Sequence, residues 1–282
     1  MSPIVDLAGK RGFVVGIANE HSIATGCATA FRQAGAELAV TYLNEKALPF
    51  VQPVAEALGA AIVVPCDVRV PGQLEAVFAR IEKDWGRLDF LLHSIAFAPR
   101  EDLQTSLVNC SAEGFALAMD VSCHSFIRMA RLAAPLMSEG GALLTVSFYG
   151  ADRVVENYNL MGPIKAALES SVRYLAADLA GQRIRANTIS AGAVKTRAAS
   201  GIGRFDELLD KVRDRTPAQR LIGIEGCRPR CGLPRQRGGK LAHRLGRLCR
   251  LRVPYDRLME RSGDTPLPSR ASAVPLTDQH AE

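Results

Sequence analysis

The stretch "GFVVGIANEHSIATG", residues 12–26, determines the expected fold. It joins an apolar, β-branched run to a helical pattern through Gly16, which permits a tight turn. Ser22 is a suitable N-cap, and Gly26 allows the helix to lie close to the sheet. Free N–H groups at the start of such a helix favour a bound phosphate. Because the spacing is not GxGxxG, an ordinary strand–turn–helix remains the alternative.

The same strand–helix pattern repeats along the chain. Six apolar runs rich in Val, Ile, Leu and Thr are mostly continuous, which indicates strands of a parallel sheet buried on both faces. The predicted strands are 12–18, 37–43, 60–67, 88–96, 141–148 and 184–191, and the predicted helices are 22–34, 45–58, 71–84, 119–138 and 158–180. We therefore predict an α/β fold, a single Rossmann-type domain with a doubly wound parallel sheet.

Charge divides the chain into two parts. The whole sequence of 282 residues has a formal net charge of +6, but residues 226–282 alone carry +7 and residues 1–225 carry −1. We predict a globular domain over 1–225 and a poorly ordered, basic, Pro-, Gly- and Arg-rich tail over 226–282. A basic arm for nucleic acid or membranes is the alternative for the tail, but Tyr255 is its only aromatic residue. We expect neither a nucleic-acid nor a membrane partner.

Other sequence features narrow the location and the cofactor chemistry. Met1–Lys10 shows no secretory signal, and no run of about 18 apolar residues suggests a membrane span. Seven irregularly spaced cysteines fit reduced thiols, so we expect a cytoplasmic protein. We expect no metal, because the histidines lack ligand spacing; the tail residues Cys227, Cys231, His243 and Cys249 fit no compact zinc motif.

Three strand ends favour a dinucleotide site. Asp67 can accept a hydrogen bond from an adenine amino group while Val68 lies against the ring; the alternative for Asp67 is a helix cap. "HSIAFAP", residues 93–99, has small residues that permit close approach of a cofactor, and His93 itself is interpreted as a buried strand residue. At the position where an acidic residue favours NAD and a basic one NADP the chain has Leu43, with Glu45 and Lys46 just beyond. This pattern favours NADH modestly over NADPH.

The stretch "FYGADRVVENYNLMGPIK", residues 148–165, carries the catalytic candidates. Tyr158 and Lys165 are seven residues apart, so a helix that begins at Tyr158 would place both on one face, because each residue advances by ~100°. The ammonium group can bind the ribose of a nicotinamide cofactor and keep positive charge beside the phenol. That charge stabilises a developing oxyanion on a substrate.

Five ordered motifs resemble the NADH-dependent enoyl-acyl-carrier-protein reductases, a divergent branch of the short-chain dehydrogenases/reductases. They are "GIANEHSIATG", "CDV", "HSIAFAP", "ENYNLMGPIKAALESSVRYLA" and "RANTISAGAVKTRAASGI", and the resemblance covers about residues 5–225. Ordinary members of the wider family have Tyr-x3-Lys and a catalytic Asn. This chain has Tyr-x6-Lys and, near the Asn position, Ser122.

The resemblance implies an oxidoreductase of fatty-acid biosynthesis, a homotetramer that reduces trans-2-enoyl thioesters bound to acyl carrier protein. Hydride would pass from NADH to the β-carbon while Tyr158 binds the thioester oxygen, and Ala98 would line the acyl pocket. Arg197 and Arg204 are candidate contacts of the acidic carrier protein, with solvated surface charges as the alternative. The implied cofactor contacts are Gly16, Ser22, Ile23, Leu43, Asp67, Val68, Ile95, Lys165, Val194, Lys195, Thr196, Arg197 and Ala198.

Two departures from the family pattern leave alternatives open. Phe148 stands where the family has a second tyrosine, with Tyr149 adjacent. The tail after Glu225 lacks the family's continuation, so the last strand is expected to be missing, and a shifted reading frame is our hypothesis for its origin. The alternative functions are a carbonyl-reducing short-chain dehydrogenase and an inactive nucleotide-binding remnant.

Overall fold

The computed structural model describes residues 6–192 together with 194, 196, 207, 209–210, 213–214 and 249–250. Its strands form one parallel sheet in the order β3-β2-β1-β4-β5-β6-β7. The strands are β1 (Arg11–Val15), β2 (Glu37–Tyr42), β3 (Ile62–Pro65), β4 (Phe90–His93), β5 (Gly141–Phe148), β6 (Ile184–Ala191) and β7 (Cys249–Arg250). The order of the first six is that of a Rossmann sheet, which confirms the predicted fold class.

Seven α-helices have both ends within the described part of the chain, and residues 207, 209–210 and 213–214 are also helical. They are α1 (Ile23–Gln33), α2 (Leu48–Leu58), α3 (Gln73–Trp85), α4 (Arg100–Gln104), α5 (Ala112–Met119), α6 (Ser125–Ala133) and α7 (Met161–Asp178). A π-helical turn, Asp120–His124, joins α5 to α6. Short 3-10 turns occupy Leu107–Asn109, Ala134–Leu136, Tyr149–Ala151 and Ala180–Gln182.

The structure corrects the predicted helices before and after β5. The segment predicted as one helix over 119–138 belongs to a longer helical region, and the π turn interrupts it. The last helix begins at Met161 and not at Tyr158. The physical reason is that Asn157 and Asn159 have φ values of 62° and 37°, in the left-handed region that Asn tolerates better than most residues but that an α-helix excludes.

Two residues of the tail join the sheet. Cys249 and Arg250 pair in parallel with Ile189 and Ser190 of β6. The sequence analysis predicts no strand in the tail, so the structure differs there. The physical reason lies in β6, whose outer edge offers unpaired N–H and C=O groups to any neighbouring extended segment.

Alternating strand residues build a core on each side of the sheet. Phe13, Leu91 and Leu143 are register partners in β1, β4 and β5 and pack on one side. Their sequence neighbours Val14, Leu92 and Leu144 pack on the other. Each fully buried side chain of this size stabilises the fold by about 1.5–3 kcal/mol. Both faces are therefore covered, and ligands are restricted to the carboxyl edge of the sheet.

Candidate active site

Two adjoining cavities open at the carboxyl ends of the strands. The larger, about 570 Å³, lies over β1, β2 and β3, and the smaller, about 170 Å³, lies over β4, β5 and β6. Both are lined by the segment Ser94–Phe97, which follows β4 and forms their common wall. The larger volume is within the range of about 300–1,000 Å³ typical of ligand pockets. The crevice lies where the strand order reverses, the usual ligand position in such sheets.

Gly16 forms the turn after β1 and lines the larger cavity. Its φ is 104°, a conformation that residues with a side chain rarely adopt. A Cβ atom at this position would collide with the backbone oxygen of Ser94. The glycine therefore allows β1 to lead into α1 directly beside the wall Ser94–Phe97.

Ser22 stabilises the turn between β1 and α1. It occupies the N-cap position of α1, but its hydroxyl makes no capping bond with the helix. Instead its Oγ accepts hydrogen bonds from the backbone N–H groups of Ala18 and Asn19, both at 3.0 Å, and donates to the Asn19 carbonyl at 2.9 Å. Ser22 thus stabilises the loop before α1 and does not cap the helix with its side chain. Ile23, the first residue of α1, lines the smaller cavity.

Leu43, Asp67 and Val68 line the far end of the larger cavity, as the sequence predicts for a nucleotide. Val68 is buried and Leu43 is half exposed, so both offer apolar surface. The Asp67 carboxylate is held by the Arg69 guanidinium in a bidentate ion pair with contacts of 2.9 and 2.6 Å. Hydrogen bonding to Arg69 lowers the pKa of Asp67 despite its partial burial.

Tyr158 and Lys165 both line the smaller cavity. Tyr158 lies in the turn before α7, where its carbonyl accepts from the Met161 N–H at 3.0 Å. Lys165 lies on α7, and its Nζ donates to the Val146 carbonyl of β5 at 2.7 Å. The two side chains converge because the turn leads into the helix, not because both residues belong to one helical face.

Burial changes the acidity of both groups. It raises the pKa of Tyr158, and the negative charge of Glu169 raises it further, so the phenol is held protonated. Burial lowers the pKa of Lys165 to about 8, while Cys123 and Glu169 act in the opposite direction. Near pH 7 the cavity therefore presents a phenolic O–H donor and an ammonium group.

The surroundings of Tyr158 are apolar. Its ring lies 4.9 Å, between centroids, from the ring of Phe148, and Ala98 packs in the same buried cluster. A Cβ atom on Gly150 would collide with the Tyr158 ring, so the glycine makes room for it. Phe148 lines the smaller cavity, whereas Tyr149 lines neither cavity. Tyr149 therefore does not bring to these cavities the tyrosine that the family has at the position of Phe148.

The segment after β6 is described only in part. Val194 and Thr196 line the smaller cavity, and Ile23 packs against the cluster that contains Val194. Ile95 lies in the common wall and lines both cavities. The predicted contacts Lys195, Arg197 and Ala198 lie outside the described residues, as does Arg204.

Several cavity residues escape the sequence analysis. Leu103 is missed because α4 is too short to show a helical period. Ser147 and Met161 lie within the predicted strand 141–148 and the motif around Tyr158, but neither residue type by itself indicates a role in a site. Ser147 donates to the buried Glu169 at 2.7 Å. The signal for Glu169 is present, since it lies one helical turn beyond Lys165.

Among the side chains that the structure describes, no group of three His, Cys, Asp or Glu residues is arranged to hold a metal ion. No helix within the described ranges is long and apolar enough to cross a membrane.

The sheet order and the Tyr–Lys pair at its carboxyl edge define a Rossmann-type protein of the short-chain dehydrogenase/reductase class. The chain belongs to the enoyl-(acyl-carrier-protein) reductase family, whose family model matches residues 16–229. It is 45% identical over 217 residues to the enoyl-acyl-carrier-protein reductase (NADH) 1 of Rhizobium meliloti strain 1021, covering 77% of this chain and 80% of the relative.

Solved structures agree with this assignment. The crystal structure of the enoyl-acyl-carrier-protein reductase (NADH) from Aquifex aeolicus VF5 superposes with a TM-score of 0.74 at 45% identity, covering 78% of this chain and 86% of that one. The enzyme of Anaplasma phagocytophilum, solved in complex with NAD, gives a TM-score of 0.75 at 42% identity, with 80% and 87% covered.

Proposed function

We propose that this chain reduces the trans-2 double bond of enoyl thioesters carried on acyl carrier protein, with NADH as the reductant. The observation that carries the proposal is the convergence of Tyr158 and Lys165 in an apolar cavity that adjoins a larger, nucleotide-sized one. The relatives named above are NADH enoyl-acyl-carrier-protein reductases, which supports the same activity here.

The residues present fit a dinucleotide. The Gly16 turn lets backbone approach the ligand closely, and the start of α1 favours its phosphates. Leu43 and Val68 offer apolar surface to an adenine, and Asp67 lies beside them, although Arg69 shares its carboxylate. Ile95, Val194, Thr196 and Lys165 would hold the nicotinamide half. When bound, NADH supplies the hydride that reduces the β-carbon.

Tyr158 is the proposed catalytic hydroxyl. Because its phenol is buried and kept protonated, it can donate a hydrogen bond to the thioester oxygen as that oxygen gains negative charge. Lys165 supplies positive charge in the same cavity and, by binding a ribose hydroxyl, would hold the cofactor beside the substrate. Ala98, Phe148 and Leu103 line the remaining wall and would exclude water from the acyl chain.

Carbonyl reduction is the weaker alternative. Ser122, near the position of the catalytic Asn of ordinary short-chain dehydrogenases, is fully buried and bonds only the backbone of Phe97 among the described residues. It does not line either cavity. A polar relay from the cavity through that position is therefore absent from the described side chains, and this disfavours proton transfer to a ketone product.

Oligomer formation is supported by the outward face of α7. Gly162, Ala166, Ser170, Tyr174 and Ala177 follow one another at helical spacing and carry no charge. Tyr174 is 72% exposed. Ala166, Tyr174 and Ala177 are exposed, whereas Gly162 and Ser170 are partly buried. Small residues allow another helix to approach closely, and exposed apolar residues that cluster on one face favour an interaction surface. A homotetramer assembled through this face, acting in the cytoplasm through the domain 1–225, completes the proposal.

The test is NADH oxidation by the purified full chain with crotonyl thioester and, separately, with simple ketones. We expect turnover with the thioester only. Turnover with ketones alone identifies a carbonyl reductase. NADH binding without turnover on either substrate identifies a nucleotide-binding remnant, and size-exclusion chromatography then shows whether assembly has failed.

A further inference from the structure

His93 is the last residue of β4 and is completely buried. Its Nδ1 lies 2.9 Å from the Thr145 hydroxyl, on the residue paired with it in β5. Its Nε2 lies 2.8 Å from the hydroxyl of Ser125, the first residue of α6. Both ring nitrogens are thus engaged, one by the sheet and one by a helix.

The hydrogen-bond directions follow from the single proton of the Ser125 hydroxyl. Ser125 Oγ donates to the Val121 carbonyl at 2.6 Å, so it can only accept from His93. The ring must then carry its proton on Nε2 and accept at Nδ1 from Thr145. A continuous relay runs from Thr145 through His93 and Ser125 to Val121.

The relay ends in the π turn Asp120–His124. Within that turn Ser122 Oγ accepts from the Phe97 N–H at 2.9 Å and donates to the Phe97 carbonyl at 3.0 Å. The π turn is therefore linked to both ends of one short segment, Ser94–Phe97. Its Val121 carbonyl is linked through Ser125 to His93, the residue before that segment. Its Ser122 bonds Phe97, the last residue of the segment. That segment, Ser94–Phe97, is the wall shared by the two cavities.

We propose that His93 is a positioning residue, which fixes the wall Ser94–Phe97 against the cofactor by anchoring the π turn through Ser125. π turns inside α-helices frequently occur at functional sites, and here Ser122 in the turn and Ser125 directly after it bond the two ends of the stretch from His93 to Phe97. This inference rests on the proposed function for its activity readout. It assigns His93 no proton transfer and no contact with substrate.

The charge state of the ring is consistent with a permanent link. Burial, followed by the positive charge of Lys165, lowers the pKa of His93 to about 3. The imidazole is therefore neutral near pH 7, and the relay keeps one direction.

The first test compares matched substitutions of buried threonines. Thr145→Val removes the donor to His93, whereas Thr188→Val makes the same change at the residue paired with Thr145 in β6, whose hydroxyl takes no part in the relay. Ser125→Ala removes the other partner. We expect Thr145→Val and Ser125→Ala each to weaken NADH binding about fivefold, as for the loss of one net hydrogen bond, and Thr188→Val less than about twofold.

Rescue at His93 separates positioning from packing. Gln places an amide N–H near the position of Nε2 and can restore the bond to Ser125, whereas Leu fills the space without it. We expect His93→Gln to keep a KM for NADH closer to that of the wild type than His93→Leu does. Equal KM values for the Leu variant and the wild type, or an effect of Thr188→Val equal to that of Thr145→Val, would overturn the proposal.

A spectroscopic measurement on the unaltered protein guards against variants that fail to fold. Long-range 1H–15N spectra of the imidazole should show the proton on Nε2 and no titration between pH 6 and pH 8. A proton on Nδ1, or titration in that range, contradicts the relay. Because neither this spectrum nor NADH affinity requires enoyl reduction, failure of the relay is distinguishable from failure of the proposed activity.

Discussion

Tyr158 is the proposed hydrogen-bond donor to the substrate, and its side chain is buried. It is 8% accessible, its ring lies against Phe148 and Gly150, and the residue lines the smaller cavity. Desolvation opposes ionisation of the phenol, and Glu169 opposes it further. A donor held in this state gains most when a neighbouring oxygen becomes negative, because the surrounding dielectric is low.

Tyr158→Phe removes only that donor. Removing one preorganised oxyanion donor costs about 3–4 kcal/mol in other enzymes, so we expect turnover of crotonyl thioester to fall by about two to three orders of magnitude. The NADH dissociation constant, measured by fluorescence titration, should change little because the cofactor contacts remain. Tyr149→Phe is the control, since Tyr149 lines neither cavity. Full turnover by Tyr158→Phe would refute the proposed role.

Lys165 should lower the free energy of unfolding of the protein when no cofactor is bound. Its folded pKa of about 8 lies below the ordinary value of 10.5, so folding disfavours the ammonium form. This penalty, about 3 kcal/mol, applies in full below pH 8 and disappears as the pH rises towards 10.5. We expect Lys165→Met to be more stable than the wild type at pH 7 and not at pH 10.5, in urea unfolding without NADH. An unchanged difference between the two pH values would contradict this.

At the scale of single elements, the turn after β1 depends on both the conformation and the size of Gly16. Its positive φ disfavours any side chain, and the Ser94 carbonyl leaves no space for a Cβ atom. The wall Ser94–Phe97 is therefore held by Gly16 from one side and by the π turn from the other. Two independent elements thus determine where a cofactor would lie.

Gly16→Ala should disturb both stability and binding. Gly72 is the matched control: its φ of 83° carries the same backbone strain, but no atom lies within 4 Å of an added Cβ. Such strain costs about 1–3 kcal/mol of stability. We expect Gly72→Ala to lower thermal stability and leave NADH affinity unchanged, whereas Gly16→Ala lowers both. Equal NADH affinity in the two variants would remove the turn from the binding site.

Long elements with a clear hydrophobic pattern were predicted more accurately than short or irregular ones. Strands such as 141–148 and 184–191 were predictable to the residue because continuous apolar runs bury both faces. The start of α7 was not, since the left-handed Asn157 and Asn159 delay the helix beyond Tyr158. The π turn is invisible in sequence because it depends on tertiary bonds from Ser122 and Ser125. The sequence predicts that Tyr158 and Lys165 share one helical face; the structure brings both to the smaller cavity, but with Tyr158 in the turn before α7.

At the scale of the whole molecule, the sheet has unequal edges. β3 is short and ends the sheet on one side, whereas β6 has eight residues and is paired on its outer edge only at Ile189 and Ser190 within the described chain. α7, with its uncharged outward stripe, lies beside this same half. Assembly through β6 and α7 would place the subunit interface beside the cavity that Tyr158 and Lys165 line.

Tyr174→Arg should weaken that assembly. An arginine in the middle of the α7 stripe would place charge where another helix is proposed to pack. We expect a shift towards smaller species in size-exclusion chromatography, with loss of NADH oxidation if the assembled form is required. Phe50→Arg, on the exposed face of α2, is the control and should elute with the wild type. Identical elution of both variants would remove α7 from the interface.

The π turn also lets one additional residue fit between two helices without changing how they face. Each residue of a regular α-helix advances by about 100°, whereas a turn with i→i+5 bonds completes its circle with one residue more. Phe126 and Met129 of α6 are both completely buried. Loss of one residue from 120–124 would therefore leave a continuous α-helix with α6 still facing the core. The additional residue thus serves the bonds from Ser122 to Phe97 and not the packing of α6.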